Sequence, residues 1–209
     1  MFITFEGIEG SGKTTQIPCL VEFLEQAGYT VVTTREPGGT AIGDQIRNIL
    51  LDFNNTDMQI RTEVLLFQAS RAQLVEQVIR PSLAKGFLVI SDRYADSTLA
   101  YQGYGYQLDL AQLQEIVRFA TGGLKPDLTL LLDVDVEEGL RRRFGGGGKN
   151  RLDAYDPDFY HRVRQGYHLL VQAEPQRWVV IDAGRSPDQV QRDIRRVVHQ
   201  RLSQKNEKQ

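Results

Sequence analysis

Cysteine is almost missing: Cys19 is the only one. A single thiol excludes an internal disulfide and a structural zinc site built on thiolates, and it suits a reducing compartment. The apolar neighbours in "IPCLVEFL" make Cys19 a core thiol rather than a nucleophile. No apolar run approaches the ~20 residues of a membrane span. The N-terminus has neither the basic region nor the apolar run of a secretory leader, since Glu6 and Glu9 come too early. An excess of one charge is missing too: 25 Lys and Arg against 27 Asp and Glu leave a formal net charge of −2. A dedicated nucleic-acid binder is more basic, so any polyanion is met at a local site. The expectation is a soluble, cytoplasmic protein that engages neither membrane nor nucleic acid. The polar tail "SQKNEKQ" carries no role.

What is present is enough apolar content for a core, 41% of 209 residues, and a length that fits one domain. Candidate strands are Phe2–Phe5, Thr30–Thr34, Phe87–Ser91, Leu128–Val134 and Trp178–Asp182. "FLVI", "LTLLLDV" and "WVVID" are continuous apolar runs, as parallel strands covered on both faces require. Helical periodicity marks Gly12–Gln26, Ala41–Leu51, Arg61–Lys85, Leu110–Thr121, Asp158–Gln172 and Pro187–Gln204, with Gly28 and Gly86 where helices should stop. The alternation is βαβα, which predicts an α/β fold with a parallel sheet. Pro18 should bend the first helix, and "GGGGK" (Gly145–Lys149) is too glycine-rich for regular structure.

Gly7 to Thr14 reads G-I-E-G-S-G-K-T, a complete match to G-x-x-x-x-G-K-[ST] between a strand and a helix. Such a loop turns successive backbone N–H groups inward, adds the helix dipole, brings Lys13 to the β/γ-phosphates and offers the Thr14 hydroxyl to Mg²⁺. Gly7, Ile8, Glu9, Gly10, Ser11, Gly12, Lys13, Thr14 and Thr15 are the candidate ATP site. A guanine-reading N-K-x-D element is missing, which argues against a GTPase, and a AAA-type motor needs further domains. A small-molecule kinase needs a second anion site facing the loop. "TREPGGT" (34–40), "FQASR" (67–71) and "SDRYADSTLAYQGYG" (91–105) supply one: they converge at strand carboxyl ends and carry Arg35, Arg47 close by, Arg71 and Arg93.

"FEGIEGSGKTT", "REPGGT", "DRY..S..AYQG" and "NRLD", in this order, resemble the thymidylate kinases of the bacterial type, over Phe2 to about Ile181. The resemblance implies a P-loop three-layer sandwich whose five-stranded parallel sheet has the order 2-3-1-4-5, usually assembled as a homodimer packed through helices. It implies transfer of the γ-phosphoryl of ATP to dTMP, giving dTDP and ADP with Mg²⁺. Carried over, Arg93, helped by Arg35, binds the dTMP phosphate; Arg47 is a candidate there only as one of the arginines able to reach the crevice. Asp92 joins Thr14 near the metal. Glu9 contacts the 3′-hydroxyl, Phe67 stacks on thymine, and Arg71 hydrogen-bonds O4. Thr98 and Gln102 reach the N3 side, and Tyr101 crowds C2′.

A mobile lid is expected at about 141–155, in "LRRRFGGGGKNRLDAYD". Arg141, Arg142, Arg143, Lys149 and Arg151 flank its glycines, and such a lid brings a cation to the transferring phosphoryl group. In thymidylate kinases the arginine for this duty sits in the P-loop or in the lid. The P-loop here carries none, so the resemblance to the bacterial branch implies the lid, where Arg151 stands first and Arg143 second, with Asp153 orienting Arg151. No general base is needed, because a phosphate monoester oxygen is already an anionic nucleophile. His161, His168 and His199 are therefore uninvolved. The loop around Ala183–Arg185 either holds the adenine or is a plain β–α turn. Pro37 is expected trans. Another nucleotide kinase of the same fold and a non-catalytic nucleotide switch remain the rival readings.

Overall fold

The computed structural model describes residues 1–145, 151–153 and 156–206. Five parallel strands form one sheet in the order β2-β3-β1-β4-β5. They are β1 (Phe2–Glu6), β2 (Val31–Arg35), β3 (Leu88–Asp92), β4 (Leu128–Asp133) and β5 (Trp178–Asp182). Three strands run one residue further than their apolar cores, into Glu6, Arg35 and Asp92. Pairing carries them there: Arg35 and Phe5 both lie opposite Asp92, and Glu6 lies opposite Leu131. The ladder thus delivers three charged residues to the carboxyl edge of the sheet.

The helices are α1 (Lys13–Gln26), α2 (Ala41–Leu51), α3 (Ile60–Leu74), α4 (Arg80–Ala84), α5 (Ala95–Thr98), α6 (Leu110–Thr121), α7 (Val136–Gly145), α8 (Pro157–Ala173) and α9 (Pro187–Asn206). Pro18 sits inside α1, which continues through it. Two π-helical stretches depart from the expected pattern. Val75–Ile79 joins α3 to α4, and Leu99–Gly105 extends α5. The second turns a segment that reads as a loop into a helix. Its glycines are there for packing: a Cβ on Gly103 would meet the Leu110 side chain at 2.5 Å, and one on Gly105 the Phe159 ring at 2.6 Å.

The expected lid overlaps regular structure. Arg141–Gly145 end α7, so Gly145 is helical, and Arg151–Asp153 form a 3₁₀ turn. Residues 146–150, with Lys149, and 154–155 lie outside the described residues. The Glu36–Pro37 bond is cis, not trans. The intrinsic trans preference before proline is only about 0.5–1 kcal/mol, and neighbouring contacts hold this turn: Arg47 Nη1 donates to Pro37 O at 2.8 Å and Gly38 N–H to Ser70 Oγ at 3.0 Å.

The core lies on both faces of the sheet. Ile3, Ile90 and Leu130 belong to one cluster with Leu20 and Leu24 of α1 and Ile194 and Val198 of α9. Phe2 and Val89 pack with Leu74, Val75 and Ile79. Each such side chain contributes about 1.5–3 kcal/mol on burial, which fixes the strand ends from which the site is built.

Candidate active site

The glycine-rich loop needs backbone that other residues resist. Gly7, Gly10 and Gly12 have φ of 139°, 71° and 94°. Gly10 is also a contact point, since a Cβ there would lie 1.9 Å from Gly139 O of α7. Lys13 is buried and donates from Nζ to Gly7 O at 2.9 Å, Ile8 O at 3.0 Å and Ser11 Oγ at 3.0 Å. Burial, and after it the Arg93 charge, lowers the Lys13 ammonium to about 8.

A cavity of about 340 Å³ opens where β1, β2 and β3 end. The loop supplies Glu9, Gly10, Lys13 and Thr14, with Asp92 beside them. Arg35, Arg47 and Arg93 form a cationic side, Phe67, Arg71, Thr98 and Gln102 another wall, and Leu51, Leu152 and Arg143 also line it.

Arg93 has φ 68°, a left-handed conformation for a residue with a side chain. Its Nη2 donates to Glu9 Oε1 at 2.8 Å and Tyr101 Oη at 3.0 Å, and its Nη1 to Ser97 Oγ at 3.2 Å. The Tyr101 hydroxyl donates to Glu9 Oε2 at 2.7 Å. Beneath them lies Glu6, fully buried. Its carboxylate accepts from Tyr94 N–H at 2.8 Å, Ser97 Oγ at 2.6 Å and Tyr167 Oη at 2.8 Å. Burial, then Asp96, pushes the Glu6 carboxyl up to about 7. On the same cationic side, burial and then the neighbouring Arg35 lower the Arg47 guanidinium.

On the opposite wall all five guanidinium donors of Arg71 are engaged. Nε and Nη2 donate to Glu36 Oε2 at 2.8 and 2.5 Å, and Nη2 also to Tyr94 O at 3.1 Å. Nη1 donates to Gln68 Oε1 at 2.7 Å and Thr98 Oγ1 at 3.0 Å. Burial raises the Glu36 carboxyl, and Arg71 opposes that rise. A ligand oxygen reaching Arg71 must therefore exchange with one of these acceptors.

The structure brings fourteen of the expected residues to one cavity: Glu9, Gly10, Lys13, Thr14, Arg35, Arg47, Phe67, Arg71, Asp92, Arg93, Thr98, Tyr101, Gln102 and Arg143. Gly7, Ile8, Ser11, Gly12 and Thr15 do not line it; Ile8 is in the core and Ser11 holds Lys13. Arg151 is turned elsewhere, donating to Glu63 Oε2 at 2.6 Å and Leu50 O at 2.8 Å. His161 pairs with Glu137 and His168 with Asp133, both off the cavity lining. Sequence reasoning missed Glu6, Glu36, Ser97, Glu63 and Tyr167. Glu6, Glu36 and Ser97 lie inside the motifs that carried the resemblance, so their chemistry was within reach. Glu63 and Tyr167 have no local signal, because only the fold brings α3 and α8 to the site.

A family profile described as "Thymidylate kinase" matches residues 5–194. The chain belongs to the thymidylate kinase family. It is 48% identical over 215 residues to the thymidylate kinase of Roseiflexus sp. (strain RS-1), covering 97% of this chain and 95% of that one. It is 53% identical over 190 residues to the thymidylate kinase of Desulfosudis oleivorans, covering 88% and 89%. Among solved structures, the thymidylate kinase from Ehrlichia chaffeensis superposes with a TM-score of 0.77 at 36% identity, over 95% of this chain and 98% of that chain. Membership in the thymidylate kinase family agrees with the sheet order.

Proposed function

We propose that the protein transfers the γ-phosphoryl group of ATP to dTMP, giving dTDP and ADP. A dTMP phosphate oxygen attacks Pγ, the bond from Pγ to the β,γ-bridging oxygen breaks, and ADP leaves with that oxygen. The observation that carries this reading is the single cavity shared by Lys13 and Thr14 with Arg35, Arg47 and Arg93, walled by Phe67, Arg71 and Gln102. Arg93 and Arg35 hold the acceptor phosphate, Arg47 adds charge beside them, and Lys13 holds the donor phosphates. Phe67 offers its face to thymine, Arg71 faces O4, Thr98 and Gln102 face the N3 side, Glu9 the 3′-hydroxyl and Tyr101 the C2′ position. Catalysis is then positioning plus electrostatic stabilisation.

The donor set fits magnesium: the Thr14 hydroxyl and Asp92 carboxylate are hard oxygen ligands lining the same cavity. Among the described residues no cluster of three His, Cys, Asp or Glu forms a metal cage. That suits an ion which keeps phosphate and water ligands, and which when bound neutralises charge on the β- and γ-oxygens. Segment 141–155 acts as the lid. Arg143, which lines the cavity, is favoured over Arg151 as the cation for the transferring group. Ala183–Arg185 is the adenine side by its place in the turn after β5, where Ala183 O already accepts from Arg142 at 2.9 Å.

A homodimer is supported by large apolar side chains left exposed on packed neighbours α3 and α6, Leu65 at 59% and Phe119 at 89%. A cytoplasmic enzyme is the reading that the single thiol, Cys19, supports; no helix of the described residues is long and apolar enough to cross a membrane. ADP release measured with dTMP, dUMP, dGMP and dCMP tests the assignment. Strong preference for dTMP is expected, and near-equal rates would overturn it.

A further inference from the structure

One amide on the base wall is held in a single orientation from outside the cavity. Gln102 is 4% exposed and Glu63 1%. Gln102 Nε2 donates to Glu63 Oε1 at 3.0 Å, and the other carboxylate oxygen accepts from Arg151 Nη2 at 2.6 Å. A carboxylate can only accept. The end of the Gln102 amide that faces Glu63 must therefore be its NH₂, which leaves the carbonyl oxygen for the cavity that Gln102 lines. Arg151 in turn is anchored through Nε to Leu50 O at 2.8 Å, so Arg151 is held between α2 and α3 and fixes the Glu63 carboxylate. Thr98 Oγ1, on the same wall, accepts from both Gln68 Nε2 at 3.1 Å and Arg71 Nη1 at 3.0 Å, so its own hydrogen remains to donate.

We infer that Glu63, clamped by Arg151, is a positioning residue that determines specificity: it turns the Gln102 carbonyl toward the base, so the site selects a pyrimidine whose N3 carries a hydrogen over one whose N3 is a bare acceptor. This rests on the thymidylate reading and adds to it the residue that sets which ring edge is read. Thymine and uracil present N3–H to the Gln102 oxygen. Cytosine presents a lone pair, and two acceptors facing each other leave the Gln102 oxygen without a donor, worth roughly 10- to 100-fold in discrimination. With a neutral amide in place of Glu63 the constraint ends, because either end of Gln102 then finds a partner.

The test is kcat/KM of the full chain for dTMP, dUMP and dCMP, with wild type, Glu63→Gln and Glu63→Asp. Glu63→Gln should lower the dTMP:dCMP ratio about tenfold or more while the dTMP:dUMP ratio stays within about twofold, because that pair shares N3–H. Glu63→Asp keeps an acceptor-only partner and should keep the dTMP:dCMP ratio of wild type. A merely structural role would lower all three substrates together. Should the single variant unfold with Arg151 left over, Glu63→Gln/Arg151→Gln carries the same measurement. An unchanged dTMP:dCMP ratio in a folded Glu63→Gln protein overturns the inference alone. A wild type that does not prefer dTMP to dCMP overturns the functional reading with it.

Discussion

Arg151 donates to the buried Glu63 carboxylate at 2.6 Å, whereas Arg143, eight residues earlier, lines the cavity with Lys13. The two arginines nominated by the sequence for one task thus have different surroundings. We expect Arg143→Ala to lower kcat by about 10³-fold, the scale of a transition-state arginine, with both KM values nearly unchanged. Arg151→Ala strips a cation from a buried carboxylate, so it should cost about 3 kcal/mol of stability and less kcat than Arg143→Ala. Steady-state kinetics beside denaturant unfolding separate the two, and a reversed order in kcat moves the catalytic role to Arg151.

Arg71 tests whether geometry matters beyond charge. Its five donors meet the two Glu36 contacts, Gln68, Thr98 and Tyr94. Arg71→Lys keeps the charge but has three donors, so at least two of those contacts go unmade in a buried site. The expected result is about 2–4 kcal/mol less stability and dTMP binding weaker by about tenfold or more, with ATP binding within about twofold. Calorimetric titration of each nucleotide decides it, and equal weakening for both would remove Arg71 from base reading.

These surroundings also mark where the sequence stops being legible. The strands, the α/β alternation and the phosphate loop follow from apolar runs and glycine spacing, and motif order anticipates most of the cavity lining. Leu99–Gly105 reads as a loop because its glycines break the helical pattern. They are glycines only because Leu110 and Phe159 press against them, a tertiary fact. Arg151 reads as a phosphate ligand by its place in "NRLD", yet its partner Glu63 lies 88 residues away. Charged residues find partners through the fold, and no local period encodes that.

Lys13 should show its burial in the pH dependence of nucleotide binding. Its pKa is about 8 in the folded protein against an ordinary 10.5, so the free protein loses that positive charge as pH rises through 8. ATP affinity of wild type should fall by about tenfold between pH 7.5 and 9.5. Lys13→Ala should bind ATP far more weakly at pH 7.5, show no such fall, and stay folded, since no desolvated ammonium then needs its three oxygen partners. A pH-independent wild type would contradict the role assigned to Lys13.

Phe119 and Leu65 report on assembly. Each contributes about 1.5–3 kcal/mol if covered, and both are exposed in a single chain. Phe119→Glu with Leu65→Glu should shift the protein from dimer to monomer in light scattering at micromolar concentration, without loss of the chain's own fold by circular dichroism. A wild type that is monomeric across that range would remove the homodimer.

Glu6 carries the clearest stability signature. Its folded pKa is about 7 against an ordinary 4.5, raised first by burial and then by Asp96, with Arg93 and the Ser97 and Tyr167 hydrogen bonds opposing. Lys13 from the loop is the other cation that feels it. Between these two pH values the folded chain holds a proton that the unfolded chain has released. Stability from this group is therefore complete below about pH 4.5 and gone above about pH 7, a span on the order of 3 kcal/mol. Glu6→Gln keeps a neutral side chain of the same shape at every pH. Unfolding midpoints at pH 5 and pH 8 should fall together less in Glu6→Gln than in wild type, so that the variant gains on wild type as the pH rises. The gain would vanish if Arg93 held Glu6 ionised throughout, and parallel pH profiles for the two proteins would show that its charge, rather than its proton, occupies the space beneath Arg93.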